Sequence, residues 1–585
     1  MNKSALKNFA TWARKELSKK VEARAFKLGI TKDKIKKADI ESSDTIYIDG
    51  KPLSKEEKNQ RDKLITRILQ SGFKQVMEDV AYTWFNCFTG LRYMEVNHFL
   101  PINVRVLSSS NPNNLDPDML NEVLNLDLEI DKEYVYDLKL NNKTEELFKY
   151  LIIKQCNDLN RYLPFMFETV EDAEILFPEG LLAKDSILRQ MTDIELIPEE
   201  NWRKVQVIGW LYQYYIADEK DRVIKAKKKY KTEDIPFATQ LFTPDWIVRY
   251  MVQNSLGRYW IESHPEHRDL LTSWEFYLEN PNHKEDVTEK LAPYLNKELQ
   301  VEDIKCFDPA MGSGHILVYI FDVLYEIYIK CGYLESEIPR LIIENNLYGL
   351  DIDDRAYQLA CFSVVMKAME YHPRFLRSIE REGLTLNLAS IQEANALNEA
   401  DIAYFVGVNH GEDFDNTKSF IHQFLNAKTF GSLIKAVPFN VDQIERRLQQ
   451  ITVHPSSDLL EETARKKLIH ILPRLIKQFH IMNHIYDVLV ANPPYMGNRY
   501  MSKELVDFVK AHYGETKMDL FSAFIEYSFH KVHKNGHLGF MTPFVWMFIG
   551  IYEPLREMIV NEKSISSLVQ LEYSAFEDAT VPICT

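Results

Sequence analysis

The sequence predicts an α/β protein in which a Rossmann-like, doubly wound parallel sheet follows a mostly helical N-terminal domain and is interrupted by a helical insertion. Three observations carry that expectation. After residue 300, short apolar runs end in acidic or small residues and each precedes a helical stretch, the alternation that parallel βαβ units produce. Before about residue 235, apolar positions instead recur every three or four residues, the period of a helix with one buried face. The 585 residues also exceed what one hydrophobic core supports, so two or more domains are required.

Composition sets the class. Hydrophobic residues make up 45% and charged residues 27% of the chain, the balance of a folded globular protein, and no apolar tract is long enough to span a bilayer. Six scattered cysteines without a Cys-x-x-Cys pair suggest neither a zinc site nor a disulfide framework, and no metal site is expected. The N-terminus lacks a signal-peptide pattern, so the expected location is the cytoplasm. A net charge of −16 counts against a uniformly basic nucleic-acid surface. Its distribution is uneven: Met1 to Lys37 holds twelve Lys or Arg against Glu16, Glu22 and Asp33, and Lys225, Lys227, Lys228, Lys229 and Lys231 form a second cluster. Both could hold phosphates; the commoner meaning of such runs is the wet face of a helix.

Along the chain, Leu6, Phe9, Ala13, Leu17, Val21, Ala25 and Leu28 share one helical face with lysines opposite, which predicts a basic amphipathic helix. Tyr82 to Leu100 reads as a buried helix, and Ser108 to Asp118 as a loop by its Ser, Asn, Pro and Asp content. No Asp followed by Glu-x-Lys between two strand-like runs marks a nuclease here. The expected domains are 1–235, helical, and 236–585, carrying the sheet. Its expected strands are Ile304–Phe307, Leu347–Ile352, Tyr486–Ala491, Leu538–Thr542 and Ile565–Leu571. Between about 399 and 484, helical spacing at Ile444, Leu448 and Ile451 and at Leu468, Ile471, Leu475 and Ile476 marks the insertion, a lid or a packing arm.

Three segments carry chemistry. In Phe307-Asp308-Pro309-Ala310-Met311-Gly312-Ser313-Gly314 a strand runs into a glycine-rich turn and a helix from about His315, where small residues let a ligand approach the backbone. The third glycine of the dinucleotide fingerprint is missing, and the leading acid suits a cationic amino-acid end better than a pyrophosphate. In Leu347-Tyr348-Gly349-Leu350-Asp351-Ile352-Asp353 an apolar strand stops at an acid, the place from which doubly wound folds bind ribose hydroxyls. Asp351 is the candidate, with Asp353 or Asp354 able to cap the next helix. In Val490-Ala491-Asn492-Pro493-Pro494-Tyr495 two prolines stiffen the backbone, leaving the Asn492 side-chain oxygen and the Pro493 carbonyl as rigid acceptors beside a flat ring. Two fixed acceptors can hold an exocyclic amine, and an aromatic face can stack on a base drawn out of its helix.

On these residues the chain resembles the gamma-class N6-adenine DNA methyltransferases, with Asp308 to Gly314 as motif I and Asn492 to Tyr495 as motif IV. Gln240-Leu241-Phe242-Thr243-Pro244 resembles their motif X, which holds the methionine part of the cofactor; Thr243 would cap a helix that Pro244 begins. Glu393-Ala394-Asn395-Ala396-Leu397 resembles motif III, whose side chain touches the cofactor adenine, with Asn395 where many members have Asp. Phe576-Glu577-Asp578-Ala579-Thr580-Val581 resembles motif VIII, whose aromatic sandwiches the flipped base. Thr83-Trp84-Phe85-Asn86, Arg92-Tyr93-Met94-Glu95 and the basic start most resemble the PglX family of BREX phage-defence systems.

The resemblance implies S-adenosylmethionine as cofactor, held by Thr243, Pro244, Asp308, Pro309, Ala310, Gly312, Gly314, Asp351, Ile352, Asn395 and Ala396. It implies catalysis by Asn492, Pro493, Pro494, Tyr495 and Phe576, on double-stranded DNA with a flipped adenine. The adenine N6 would attack the sulfonium methyl in line, without a covalent nucleophile. Other phage-defence proteins are candidate partners. A C-terminal target-recognition domain is expected to be absent, since the chain stops at Thr585 soon after motif VIII. Two alternatives stand: N-methylation of a protein glutamine or of ribosomal RNA, and a non-catalytic cofactor-binding subunit that senses DNA or phage.

Overall fold

The computed structural model describes residues 2–41, 45–111, 113–167, 171–279, 289–407, 411–572 and 582–585. The chain divides into two compact units, Met1–Asp218 with Pro373–Gly383, and Glu219–His372 with Leu384–Thr585. The division falls before the expected 235 because the intervening residues bond forward: Lys220 Nζ donates to the Gln240 carbonyl, and Arg222 reaches Asp234 at 3.3 Å.

In the first unit the amphipathic N-terminal segment forms a helix, Lys3–Lys27, whose start is capped by the Asn2 side chain accepting from Ala5 N at 3.1 Å. All seven apolar positions of its face are buried, against the helices Phe73–Val96 and Gln206–Tyr215. Phe85 bridges them, 6.5 Å from the Phe9 ring and 4.5 Å from Tyr215. The basic face is largely neutralised inside the unit. Lys20 donates to the Glu179 carbonyl, Arg24 and Lys27 both reach the Glu179 carboxylate, and Lys15 meets Asp218 at 2.8 Å.

A feature the helical expectation lacked is a small antiparallel sheet in the order β1-β2-β3, formed by Ile40–Glu41, Thr45–Ile48 and Lys51–Ser54. Its β2–β3 turn is Asp49-Gly50, both at positive φ (50° and 71°), the conformation a two-residue hairpin needs.

The second unit is built on a five-stranded sheet of β4 (Cys306–Asp308), β5 (Leu347–Asp351), β6 (Asn387–Ser390), β7 (Tyr486–Ala491) and β8 (Val532–Phe540). The order is β6-β5-β4-β7-β8 and every pairing is parallel. The chain reverses its winding between β4 and β7, so a ligand crevice is expected at their carboxyl ends. Two of the three chemical segments leave the sheet there, Asp308 from β4 and Asn492 just after β7, and the third, at Asp351, ends the adjacent β5. Two sequence expectations need correction. Asn387–Ser390, short and half polar, is a strand. Ile565–Leu571 is not: Ile565 and Leu568 are exposed, and only its end, Val569 to Leu571, bonds across to Ile583 and Thr585 around an isolated bridge from Gln570 to Cys584. That end of the chain, β10 (Ile583–Cys584), pairs with β9 (Thr542–Pro543).

The insertion belongs to the core. Leu468, Leu475 and Ile476 of the helix Leu459–Asn483 share one buried cluster with Phe307, Leu350 and Leu489 of the sheet. Buried Gln478 fixes its position, donating to the Gln392 carbonyl at 3.0 Å and accepting from Gln392 N at 2.7 Å.

Gly314 is the tightest point of the β4 turn. It lies at φ +83°, and a Cβ there would stand 3.0 Å from Ala360 Cα and 3.2 Å from Ala360 Cβ. Gly314→Ala is expected to lose about 1–2 kcal/mol from the left-handed backbone and about 1–3 kcal/mol from overpacking. A lowered urea midpoint for the second unit at unchanged slope would show it; an unshifted midpoint would mean that the turn relaxes freely.

Candidate active site

β4 ends by delivering Asp308 into the interior, fully buried. One carboxylate oxygen accepts from Ala310 N at 3.0 Å; the other is buried with no hydrogen-bond partner. Burial, helped by the nearby charge of Asp351, pushes this carboxyl well above the usual range. The turn is cinched by Met311 N donating to the Leu350 carbonyl (3.0 Å) and Gly314 N to that of Met311 (2.8 Å), and Gly314 then opens the helix His315–Lys330.

Asp351, at the end of β5, ties the neighbouring strand to that turn, accepting from Gly312 N and Asp353 N, each at 2.8 Å. Burial first, then the charge of Asp353, raises it to about 6. Asp353 is the helix cap: it accepts from Arg355 N at 3.0 Å and pairs with the Arg355 guanidinium at 2.9 and 3.0 Å. Of the two acids that the sequence left open as cap, Asp353 and Asp354, the first takes the role, and Asp351 stays at the strand end.

After β7, the Asn492 amide is oriented by its own donors, which reach the Leu241 carbonyl (3.3 Å) and Thr243 Oγ1 (3.1 Å). Its oxygen accepts from Tyr495 OH at 2.7 Å, a hydroxyl also 3.0 Å from the Met541 carbonyl. Thr243 is therefore a positioning partner of Asn492 rather than the expected cap; the helix Asp245–Val252 starts after Pro244 with no side-chain cap. Burial drives the Tyr495 hydroxyl well above its usual range, and the ring meets Phe521 edge-on at 6.4 Å. Asp519 holds the following residue, accepting from Met496 N at 2.9 Å.

These groups gather around one cavity that opens to solvent. Thr243, Asp308, Pro309, Ala310, Gly312, Asp351, Ile352, Asn492 and Pro494 line it; Pro244, Gly314, Pro493 and Tyr495 are not among its lining residues but adjoin them in the chain. Asn395 and Ala396 do not line it. Both are exposed, and Asn395 is tied to Asn426 by two bonds, at 3.1 and 2.8 Å. Phe576 lies outside the described residues.

The sequence reading missed part of the wall. The insertion contributes Thr429 to Leu433, pinned by Lys428 to the Ile352 carbonyl and Asp354 (2.9 Å each) and by Ser432 Oγ to the Pro309 carbonyl. Phe242 and His315 also face the cavity, their rings stacked at 4.5 Å and 17°. The sequence places His315 at the start of a helix; the helical spacing that marks the insertion does not single out Thr429 to Leu433 as part of a site. Among the described residues no group of His, Cys, Asp and Glu is arranged to hold a metal, and no helix is long and apolar enough to cross a membrane.

Residues 345–576 match the Eco57I restriction-modification methylase family. The chain is 36% identical to the adenine-specific methyltransferase BrxX of Escherichia coli O9:H4, over 98% of this chain and 49% of that protein. It is 35% identical to the adenine-specific methyltransferase PglX of Lacticaseibacillus casei, over 99% of this chain and 50% of that protein. The type II restriction enzyme and methyltransferase RM.Eco57I of Escherichia coli is 23% identical over 57% of this chain and 29% of its own. The chain thus spans about half the length of the first two relatives.

Proposed function

We propose that this chain, whose residues 345–576 match the Eco57I restriction-modification methylase family and which is 35–36% identical to the adenine-specific methyltransferases BrxX and PglX over about half of their length, transfers a methyl group from S-adenosylmethionine to the N6 of adenine in DNA. We place the activity in phage defence of the BREX or restriction-modification kind, on a cytoplasmic substrate of double-stranded DNA with one adenine flipped out. The observation that carries the reading is the meeting, in one switch-point cavity, of buried Asp308 with an unpartnered oxygen and of an Asn492 amide held at both ends.

The wall suits S-adenosylmethionine chemically. A buried carboxyl group with an unpartnered oxygen is stabilised as the carboxylate by a cation, which the α-ammonium of an amino acid provides. Asp351, buried at a strand end with acceptor capacity beyond its two N–H partners, is placed for ribose hydroxyls. Pro309, Ala310, Ile352 and the insertion's Phe430 and Leu433 give apolar surface for a nucleoside. When bound, the cofactor supplies a methyl group activated by its sulfonium.

The chain's own residues then handle the adenine. Asn492 Oδ1 has two lone pairs and Tyr495 takes one at most, so one remains for an amino N–H. The Pro493 carbonyl, on a backbone stiffened by two prolines, is the second acceptor. Accepting both N–H groups weakens conjugation of the nitrogen lone pair with the ring and fixes its direction. These acceptors need no reorganisation during the reaction.

The test is calorimetric titration of S-adenosylmethionine, with Asp308→Ala beside the wild type. Saturable binding is expected, weakened about tenfold or more in the variant, the scale of one hydrogen bond to a charged group. A labelled methyl group should then appear in DNA as N6-methyladenine. Label recovered in protein glutamine or in RNA would sink the adenine assignment, and no cofactor binding by folded protein would sink the whole reading.

A further inference from the structure

Among the polar side chains of the cavity that the mechanism above leaves unused is His315. His315 is 8% exposed, faces the cavity, and neither ring nitrogen has a hydrogen-bond partner. Phe242 lies flat against the imidazole at 4.5 Å, fixing its plane, and Phe242 belongs to the same short segment whose Leu241 and Thr243 orient Asn492. Two buried ring nitrogens without partners are costly, and each such group in a folded protein calls for an explanation. Burial also holds the ring neutral, lowering it to about 4, so it keeps one N–H donor and one acceptor at neutral pH.

The ring stands at the first position of the helix His315–Lys330, where unpaired backbone N–H groups and the helix dipole favour negative charge. Asp308, seven residues earlier at the start of the same turn, lines the cavity and keeps a buried carboxyl oxygen without a partner. An amino acid bound with its ammonium at Asp308 carries its carboxylate on the adjacent bond, on the side away from the acid. The geometry points to His315 as the donor that receives the α-carboxylate of the cofactor's methionine end, with Phe242 as the plate that holds its ring. This inference rests on the reading of the cavity as an S-adenosylmethionine site and deepens it by naming the residue that recognises the carboxylate.

The experiment compares two ligands on three proteins: S-adenosylmethionine and methylthioadenosine, which lacks the amino-acid end, on wild type, His315→Phe and His315→Gln. His315→Phe keeps the stacking surface and removes the donor. It should weaken S-adenosylmethionine about tenfold or more and leave methylthioadenosine within about twofold, the residual expected of distant sites. His315→Gln, which restores an N–H, should recover part of the loss. In the wild type, the imidazole nitrogen chemical shifts of His315 should move on adding S-adenosylmethionine and stay in place with methylthioadenosine, a readout that needs no variant to fold. Equal weakening of both ligands, or of neither, overturns the assignment while the cofactor reading stands; failure of the wild type to bind S-adenosylmethionine overturns both.

Discussion

Asn492→Ala is expected to lower the rate of methyl transfer to adenine by about 10²–10³-fold, the range found when one preorganised hydrogen-bonding group is removed from a reacting centre. The substitution deletes more than an acceptor. Asn492 is held by Leu241 and Thr243 on its amide nitrogen and by Tyr495 on its oxygen, so its loss also frees the Tyr495 hydroxyl to rest on the Met541 carbonyl alone. Cofactor affinity should change far less than the rate, because Asp308, Asp351 and the turn between Asp308 and Gly314 are untouched. Thr243→Val separates the two roles: it keeps the Asn492 oxygen and removes one of its supports, so the rate should fall by a smaller factor, of about ten. Single-turnover transfer measured with saturating cofactor distinguishes these effects from binding. A variant Asn492→Ala that transfers methyl groups within a few fold of wild type would show that the amide is not the acceptor, and the adenine mechanism would fall with it.

The site was legible in the sequence where chemistry and backbone constraint coincide in one short segment. Asp308 to Gly314 had to be a strand end, a turn and a helix start, and Asn492 to Tyr495 had to be rigid; β7 falls on the expected residues. What could not be read is what comes from afar. The part of the wall at Thr429 to Leu433 arrives through an insertion whose helices have ordinary spacing, and only its anchors, Lys428 on the Ile352 carbonyl and Ser432 on Pro309, bring it to the cavity. Asn395 matches a motif by order in the chain, yet the loop around Asn426 binds it on the surface. Thr243 looked like a cap because Pro follows it, while a partner some 250 residues away claims its hydroxyl. The Asp49-Gly50 turn is the opposite case: a hairpin signal stands in the sequence, and the helical expectation for 1–235 takes no account of it.

Glu95→Ala is expected to destabilise the first unit by about 3–5 kcal/mol, the cost of breaking a buried ion pair from one side. The Glu95 side chain is fully buried, as is Arg92, 2.7 Å away. The carboxylate also accepts from Val106 N, Leu107 N and Ser108 Oγ, at 2.9, 2.8 and 2.9 Å. It therefore fastens the loop after the helix Phe73–Val96 as well as neutralising a buried guanidinium. Alanine leaves two backbone N–H groups unpaired and throws the Arg92 charge onto Glu199, which it meets at 3.3 Å and which already pairs with Arg105. Glu95→Gln should cost less, since an amide oxygen still accepts one of the N–H groups. The double variant Arg92→Met, Glu95→Met should recover only part of the loss: it removes both charges but cannot satisfy Val106 N and Leu107 N. Hydrogen exchange in the helix Phe73–Val96 measures this locally, which matters because two compact units need not unfold as one. Cofactor affinity under native conditions should be unchanged, because every residue lining the cavity belongs to the second unit. Unaltered exchange in that helix would mean that the Glu95 cluster is dispensable to the fold, and a large loss of cofactor binding would mean that the two units are energetically coupled.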